Sequence, residues 1–407
     1  MRITFICDVF YPSSESTSQL FAELLNRLAA DGLHCHVIAN RLPNLRQRLA
    51  TASPLDPKIT VRRVGIPMLG RSSLLLRAAR YLAFASGASM HLLLTRADRL
   101  WGGTNPPFTP ILLAAVAALR RKPFDIIIHD VYPDGLVAVG FLREGSLVTR
   151  GWRWLNGWAY RRANRVVVLG RDMAALMQRR YRVRDSQLVM FPNWSPFDQA
   201  TPLPLTASSL AQRLDLTKRF VVQYSGNMGL WHDIETLVRA AKLLSSDERI
   251  HFLMIGEGRR RNAAQQLALN LGITNMTWQD FQNRDALSDS LACSSVALIS
   301  QRAGLEGVAV PCKLYGILAS GRAIVAAVPA ESEVAKVVGE EHCGVVVSPS
   351  DPLAVAEAIR RLANDDSLTA GMGACSFAAY GEKYSLAAAA ARFWRTWGTW
   401  DTCHDDR

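Results

Sequence analysis

A chain of 407 residues with 49% hydrophobic and 20% charged side chains has the length for two or three domains with sizeable cores. It is too apolar to be a disordered tail protein. The formal net charge of +12 is uneven: residues 1–200 hold 27 Lys and Arg against 13 Asp and Glu, leaving 20 against 22 beyond them. A basic first half attracts phosphate-rich partners, meaning nucleic acid, anionic lipid head groups or pyrophosphate-linked substrates, and composition does not choose among them.

The N-terminus, MRITFICDVFYP, is a short apolar strand ending at Asp8, without the apolar core or cleavage site of an export signal. The longest apolar stretches, Phe108–Leu119 and Tyr81–Leu94, are shorter than the roughly 18 residues a membrane span needs. No transmembrane helix and no export are expected. Cys7, Cys35, Cys293, Cys312, Cys343, Cys375 and Cys403 are scattered, without CxxC spacing or His partners at metal-ligand spacing. A reduced cytoplasmic protein with neither disulfides nor structural zinc is the expectation.

Along the chain, short β-rich apolar runs alternate with amphipathic helical patterns, the signature of parallel sheets built from βαβ units. Strands are predicted at Ile3–Cys7, His36–Ala39, Ile126–His129, Val166–Leu169 and Leu188–Phe191, then at Phe220–Tyr224, His251–Ile255, Val296–Ile299, Ala323–Ala326 and Val345–Val347. Two sheets fit this series better than one. The first helix is capped by Ser16 or Ser18, lays down Leu20, Leu24 and Leu28 with Phe21 and Leu25 as one stripe, and stops at Gly32. Between the two strand sets lies SPFDQATPLPLTA, Ser195–Ala207, whose prolines bar a helix or central strand. The expected domains are therefore residues 1–195, a linker over 196–207, and residues 208–384.

Open α/β sheets bind ligands at the carboxyl ends of their strands, and there the second half is most informative. After FVVQY comes SGNMGLWHDIETL, with Gly226, Asn227 and Gly229 in a tight loop before a helix that starts near Asp233. Its amides suit an anion, although a strand-to-helix turn also needs glycine for its dihedrals. After HFLMI comes GEGRRR: Gly256 and Gly258 allow close backbone approach, and Arg259, Arg260 and Arg261 add positive charge that opposes the dipole of the helix they open. In QRAGLEGVAVPCKLYGILASGRAIVA, a Gly-containing loop carries Glu306, Pro311 precedes a short helix Lys313–Ala319, and Gly321 stops it. Loop amides with a lysine at a helix start hold a diphosphate, and a carboxylate accepts sugar hydroxyls. In the first half, PFDIIIHDVYPDG places His129 and Asp130 at a strand end, where an aspartate is either a turn cap or a functional group.

Together FPNWS, YSGNMG, the GEG turn, EGVAVPCKLYGILASGR and HDVYPDG resemble retaining glycosyltransferases of family four, nearest to bacterial exopolysaccharide and O-antigen transferases of the colanic-acid and N-acetylfucosamine type. The resemblance spans nearly the whole chain in the expected order. It implies the α/β GT-B fold: two Rossmann-like domains with parallel sheets facing a cleft, the first binding the acceptor and the second the nucleotide sugar. A last helix around Leu386–Thr399, within residues 385–407, is then expected to cross back to the first domain. Carried over, Gly226 and Asn227 neighbour the donor phosphates, with His232 near the place of the usual phosphate-loop lysine. The base lies by Gly256–Gly258 and the Phe281–Gln282 turn, and Glu306, Gly307 and Val308 lie near the transferred sugar. Lys313, followed by Leu314, and Arg259 face the diphosphate, while His129 and Asp130 meet the acceptor or the reacting sugar. Two departures stand out: Gly316 replaces a second glutamate that binds the ribose, and FYPSSESTSQ lacks the frequent Gly-Gly pair.

The resemblance also implies front-face transfer from a UDP- or GDP-sugar, with Lys313, Arg259 and helix N-termini stabilising charge on the leaving diphosphate and no metal or other cofactor required. The acceptor surface is expected in LREGSLVTRGWRWLNGWAYRRANR, residues 142–165, which mixes Trp152, Trp154 and Trp158 with arginines in the manner of a surface at a lipid head-group layer. Leu74, Leu75, Leu76, Ala78, Ala79 and Leu82, with Arg71, Arg77 and Arg80, offer a second such surface. The expected acceptor is a polyprenyl-diphosphate-linked glycan reached by peripheral docking on the inner face of the plasma membrane. Competing readings are a nucleotide-sugar epimerase of the same fold, a non-catalytic sugar-nucleotide binder, and a basic nucleic-acid-binding protein. The last has no recognition module to support it, so no nucleic-acid partner is expected.

Overall fold

The computed structural model describes residues 1–407 apart from 14, 51–52, 68–73, 196, 198–199, 283 and 399–407. Arg71, Cys403, Thr399 and part of the expected linker (Pro196, Asp198, Gln199) thus lie outside the described residues.

Among the described residues the strands form two sheets in which every pairing is parallel. The first contains β1 (Arg2–Cys7), β2 (His34–Asn40), β3 (Ile59–Val64), β4 (Arg99–Gly103), β5 (Phe124–Ile128), β6 (Arg165–Val168) and β7 (Leu188–Met190), in the order β3-β2-β1-β4-β5-β6-β7. The second contains β8 (Phe220–Ser225), β9 (Ile250–Ile255), β10 (Met276–Gln279), β11 (Val296–Ser300), β12 (Ala323–Ala327) and β13 (Gly344–Val347), in the order β10-β9-β8-β11-β12-β13. Both are doubly wound, with the order reversing beside the first strand of each sheet, where such folds open a ligand crevice. Parallel strands covered on both faces read as unbroken apolar runs, and β11 (VALIS) and β12 (AIVAA) are buried at every position.

The chain divides into two compact units. One comprises Met1–Pro192, Gly307–Ala309 and the chain from Ala389 onward; the other comprises Asn193–Glu306 and Val310–Ala388. The second unit is cored by Val222, Phe252, Leu298 and Val325 under the helices Ile234–Leu243 and Pro352–Ala363.

Three strands escape the sequence reading: β3, β4 and β10. In β4 the charged side chain of Arg99 is buried, because its Nη1 binds both oxygens of Asp125 on the adjacent β5 at 2.7 and 2.6 Å. Trp397, on the helix Leu386–Trp397, donates its indole N–H to the same carboxylate at 2.9 Å and packs on Trp101 of β4 at 4.6 Å between rings. Removing one member of a buried pair leaves the other uncompensated, which costs about 3–5 kcal/mol. Asp125→Ala is therefore expected to lower the urea midpoint of the first unit sharply, followed by tryptophan fluorescence; a midpoint equal to wild type would contradict the pairing.

The first helix is Ser16–Ala30, and its N-cap is Glu15 rather than Ser16 or Ser18. Ser18 falls inside the first turn, where its hydroxyl is buried and has no hydrogen-bond partner among the described residues. Gly32 follows with φ +105°, as its role as a stop requires. Among the described residues no helix is long and apolar enough to cross a membrane.

Candidate functional site

In the second unit, β8 and β9 run in register up to the pair Ser225 and Ile255, and each leaves the sheet through a glycine. Gly226 (φ +132°), Gly256 (φ +130°) and Gly258 (φ +146°) all hold backbone that L side chains avoid. The two loops then lie backbone on backbone. Gly226 N–H donates to Ile255 O at 3.0 Å, Met228 N–H to Glu257 O at 2.7 Å, and Arg260 N–H to Met228 O at 3.0 Å. A Cβ on Gly256 would stand 2.0 Å from Gly226 O, and one on Gly258 2.5 Å from Met228 O. Glycine here is a requirement of packing as well as of dihedral angle.

Lys313 opens the helix Lys313–Ala319 and sends its ammonium to these loops. Its Nζ is enclosed, lies 3.6 Å from the centre of the Tyr224 ring, and is 3.5 Å from where a Cβ on Gly226 would be. Among the described residues it has no hydrogen-bond partner. Burial pushes its pKa down to about 7. Tyr224 is fixed by its hydroxyl, which donates to Asn227 O at 2.8 Å. His232 stands nearby with Nδ1 on Ser300 O at 2.8 Å; since a carbonyl only accepts, Nδ1 carries the proton. Burial, and then the Lys313 charge, push this imidazole down to about 3, so it is neutral at pH 7. A lysine held over an aromatic ring beside two glycine loops makes a cradle for a bulky anion.

The three arginines separate. Arg260 pairs with Glu235 at 2.6 Å, and Arg261 pairs with Glu257 and with Asp280 at 2.8 Å, whereas Arg259 is exposed. Phe281 is also exposed, and Gln282 donates to Asp280 O at 2.8 Å. The Glu306 carboxylate accepts the Gly304 amide at 3.1 Å. Leu314 is a correction: its side chain is fully buried in the core and its amide donates to Pro311 O at 3.3 Å, so it offers a ligand neither side chain nor free amide. Gly316 is buried within the same helix, leaving no carboxylate at that place.

The first unit gathers a second set of groups at the carboxyl ends of β1 and β5. The amides of His129 and Asp130 both donate to Thr104 Oγ1, at 3.1 and 3.2 Å. His129 packs edge-on to Phe21 at 5.3 Å, and burial pushes its pKa down to about 4, with Nε2 unbonded. Burial pushes the Asp130 carboxyl the other way, up to about 6. The segment Gly307–Ala309 packs here too. Asp130 bridges Ala309, Val131 N–H donates to Val308 O at 2.9 Å, and Gly307 N–H is taken by Asp172 Oδ2 at 2.9 Å. A cavity of about 30 Å³ beside His129 is also lined by Asp8, Glu15 and Ser18, none of which the sequence assigns to the site. Asp8 is held by Arg80 at 2.7 Å and by Asn40 at 2.9 Å. The signal available was an aspartate immediately after a buried strand, as at Asp130.

The tryptophans of residues 142–165 divide as well. On the helix Leu147–Arg162, Trp154 and Leu147 are 65% and 83% exposed, and Val148 and Leu155 are also exposed. Trp152 instead stacks on Phe108 at 4.6 Å and lies parallel to Tyr132 at 6.2 Å, and Trp158 lies under the Arg162 guanidinium at 4.8 Å. In the second expected surface Leu76 and Leu82 are exposed on the helix Leu74–Leu94, but Arg80 is committed to Asp8. Among the described residues no group of three or more His, Cys, Asp or Glu is arranged to hold a metal ion.

Against known proteins, residues 17–194 match the family model described as a glycosyl transferase 4-like domain, and residues 219–365 match glycosyl transferases group 1. The chain is 28% identical over 327 residues to the probable glycosyltransferase WbjE of Pseudomonas aeruginosa, covering 79% of this chain and 80% of that protein. It is 30% identical over 141 residues to the putative colanic acid biosynthesis glycosyl transferase WcaI of Escherichia coli, about a third of either chain. In fold it is similar to Anabaena HepE in complex with UDP (TM-score 0.74, 14% identity, 98% of this chain and 100% of that one). It is also similar to WaaG, a glycosyltransferase involved in lipopolysaccharide biosynthesis (TM-score 0.70, 15% identity, 96% and 99%).

Proposed function

Because the chain belongs to the family-four glycosyltransferases of GT-B fold, we propose that it moves a hexosyl group, with retention, from a UDP- or GDP-sugar to a polyprenyl-diphosphate-linked glycan in exopolysaccharide or O-antigen assembly. The observation that carries this reading is the enclosed Lys313 ammonium, without a hydrogen-bond partner and poised over the Gly226 loop. The Tyr224 ring offers this lysine no hydrogen-bond acceptor lone pair, and a diphosphate supplies one. The relatives support the rest: WcaI is named for colanic acid biosynthesis, WaaG for lipopolysaccharide, and HepE was solved with UDP and with UDP-glucose. The epimerase alternative finds no support among these proteins.

In the proposed reaction the acceptor hydroxyl enters on the face from which the nucleotide leaves, while the anomeric carbon becomes oxocarbenium-like and charge grows on the diphosphate. Lys313, the amides of the Gly226–Asn227 and Gly256–Gly258 loops and the exposed Arg259 meet that charge. Glu306 orients the sugar through its hydroxyls. Asp130, with its raised pKa, accepts a hydrogen bond from the incoming hydroxyl, and neutral His129 contributes an uncharged hydrogen-bonding edge. No metal is invoked. The exposed Leu147, Val148, Trp154 and Leu155 on an arginine-rich helix support docking to the cytoplasmic face of the membrane, where the acceptor resides.

The direct experiment is a thermal-shift screen of nucleoside diphosphates. A ligand that binds only the native state stabilises by RT ln(1 + [L]/Kd), about 2.7 kcal/mol at a hundredfold excess over Kd. UDP or GDP is expected to raise the melting temperature by several degrees, and no shift with either at millimolar concentration would defeat the donor assignment.

A further inference from the structure

In the first unit the helices Leu147–Arg162 and Arg171–Tyr181 bring their last turns together: Arg161 Nη1 donates to Tyr181 O at 2.9 Å, and a Cβ on Gly157 would lie 3.6 Å from Tyr181 Cδ1. Between them is a groove of about 560 Å³ whose lining includes Arg153, Arg161, Arg180, Arg182, Trp154 and Gly157. Among the described residues two carboxylates pair with the lining arginines. Buried Asp134 binds Arg153 at 2.9 Å and also holds Arg180, and exposed Glu144 binds Arg153 at 2.7 Å. Two carboxylates against four arginines leave an excess of positive charge. The two helix C-termini offset at most about half a charge each.

Arg182 adds a further guanidinium to the lining. It occupies the left-handed position (φ +55°) just after Tyr181, where glycine or asparagine is the favoured residue. Among the described residues its guanidinium has no hydrogen-bond or ion-pair partner.

We propose that this groove is a discrete site for the phosphate of an anionic glycerophospholipid head group. Guanidinium forks fit phosphate oxygens in pairs, which ammonium groups cannot reproduce. The argument for a lipid source is Trp154, which lines the groove and is 65% exposed, with Leu147 and Leu155 exposed on the same helix. An anion here arrives beside hydrocarbon, as at a bilayer surface. The proposal rests on the peripheral-docking reading above and converts it from diffuse attraction into a defined contact.

The test is co-sedimentation with phosphatidylglycerol/phosphatidylcholine vesicles at fixed salt, using wild type, the charge-conserving pair Arg161→Lys with Arg182→Lys, the charge-removing pair Arg161→Gln with Arg182→Asn, and Trp154→Ser. Melting temperature serves as the folding control and UDP-induced stabilisation as the readout of the donor site. The lysine pair is expected to bind vesicles about tenfold more weakly, the loss of roughly one charge-assisted hydrogen bond, although net charge is unchanged. The Gln/Asn pair and Trp154→Ser are expected to weaken binding at least as much, all with UDP stabilisation intact. Undiminished binding by the lysine pair would overturn the discrete site while leaving diffuse docking in place. Failure of wild type to bind anionic vesicles would overturn both, and the UDP shift would still report on the donor site separately. Binding that needs added polyprenyl diphosphate, rather than phosphatidylglycerol, would overturn the head-group assignment.

Discussion

Lys313→Ala is expected to lower kcat by about a hundredfold or more, the range for losing one preorganised group aimed at developing charge, while weakening binding of the intact nucleotide sugar far less. The asymmetry follows from where charge develops. The ammonium sits enclosed over the Tyr224 ring and, among the described residues, without a hydrogen-bond partner, so it is desolvated and aimed before the donor arrives. In the ground state it meets a diphosphate whose terminal oxygen is still bonded to the sugar. In the transition state the diphosphate carries more charge and the attraction dominates. Turnover assays beside calorimetric binding separate the cases, and equal losses in kcat and Kd would sink the assignment.

The same lysine sets a pH signature. Its pKa falls from 10.5 to about 7 on burial. Between these values the unfolded chain binds more protons than the native one, so this residue makes native stability rise with pH across the window and contributes its full penalty below about pH 7. A bound diphosphate favours the charged form. Nucleotide binding is therefore expected to take up about half a proton at pH 7 and close to one between about pH 8 and 10, with affinity falling by up to about tenfold per unit as pH rises. Calorimetry in buffers of different ionisation enthalpy measures that uptake directly.

How much of this was legible in the sequence depended on range. Strands covered on both faces announce themselves as apolar runs, and helices begin and end where Asp233, Gly32 and Gly321 say they should. What stayed hidden was set by partners far along the chain. β3 contains Arg62 and Arg63, whose guanidinium groups reach His91 and the carbonyls of Asn40 and Phe10. β4 buries Arg99 only because Asp125 compensates it. At the site, the glycine loops and Lys313 were readable as a constellation. The lone-pair and charge environment of Lys313 was not, since it depends on Tyr224, a strand residue of a distant segment. Asp8 and Arg80 are 72 residues apart and form one ion pair that no local pattern indicates. The resemblance pointed to segments; packing decides that Leu314 belongs to the core and that Arg260 and Arg261 are held by carboxylates.

Gly256→Ala tests the cradle from the backbone side. At φ +130° an alanine is strained by about 1–3 kcal/mol before any contact is considered. Its Cβ would also stand 2.0 Å from Gly226 O and 2.9 Å from Gly226 C, and both are main-chain atoms with no rotamer through which to escape. The Gly226 loop must therefore move by more than an ångström, away from the position in which Lys313 faces it. The expected result is a fall of several degrees in the melting temperature together with loss of UDP stabilisation. Gly272→Ala supplies the contrast. It too has positive φ, +60°, at a helix end, but nothing lies within 4 Å of its added Cβ. That substitution should cost only about 1 kcal/mol and leave nucleotide binding unchanged. If the two variants behave alike, the contact between the Gly226 and Gly256 loops does not organise the anion site, and the role given to Lys313 loses its scaffold. If only Gly256→Ala loses UDP, close backbone packing, and not glycine flexibility in general, holds the phosphate loops in place.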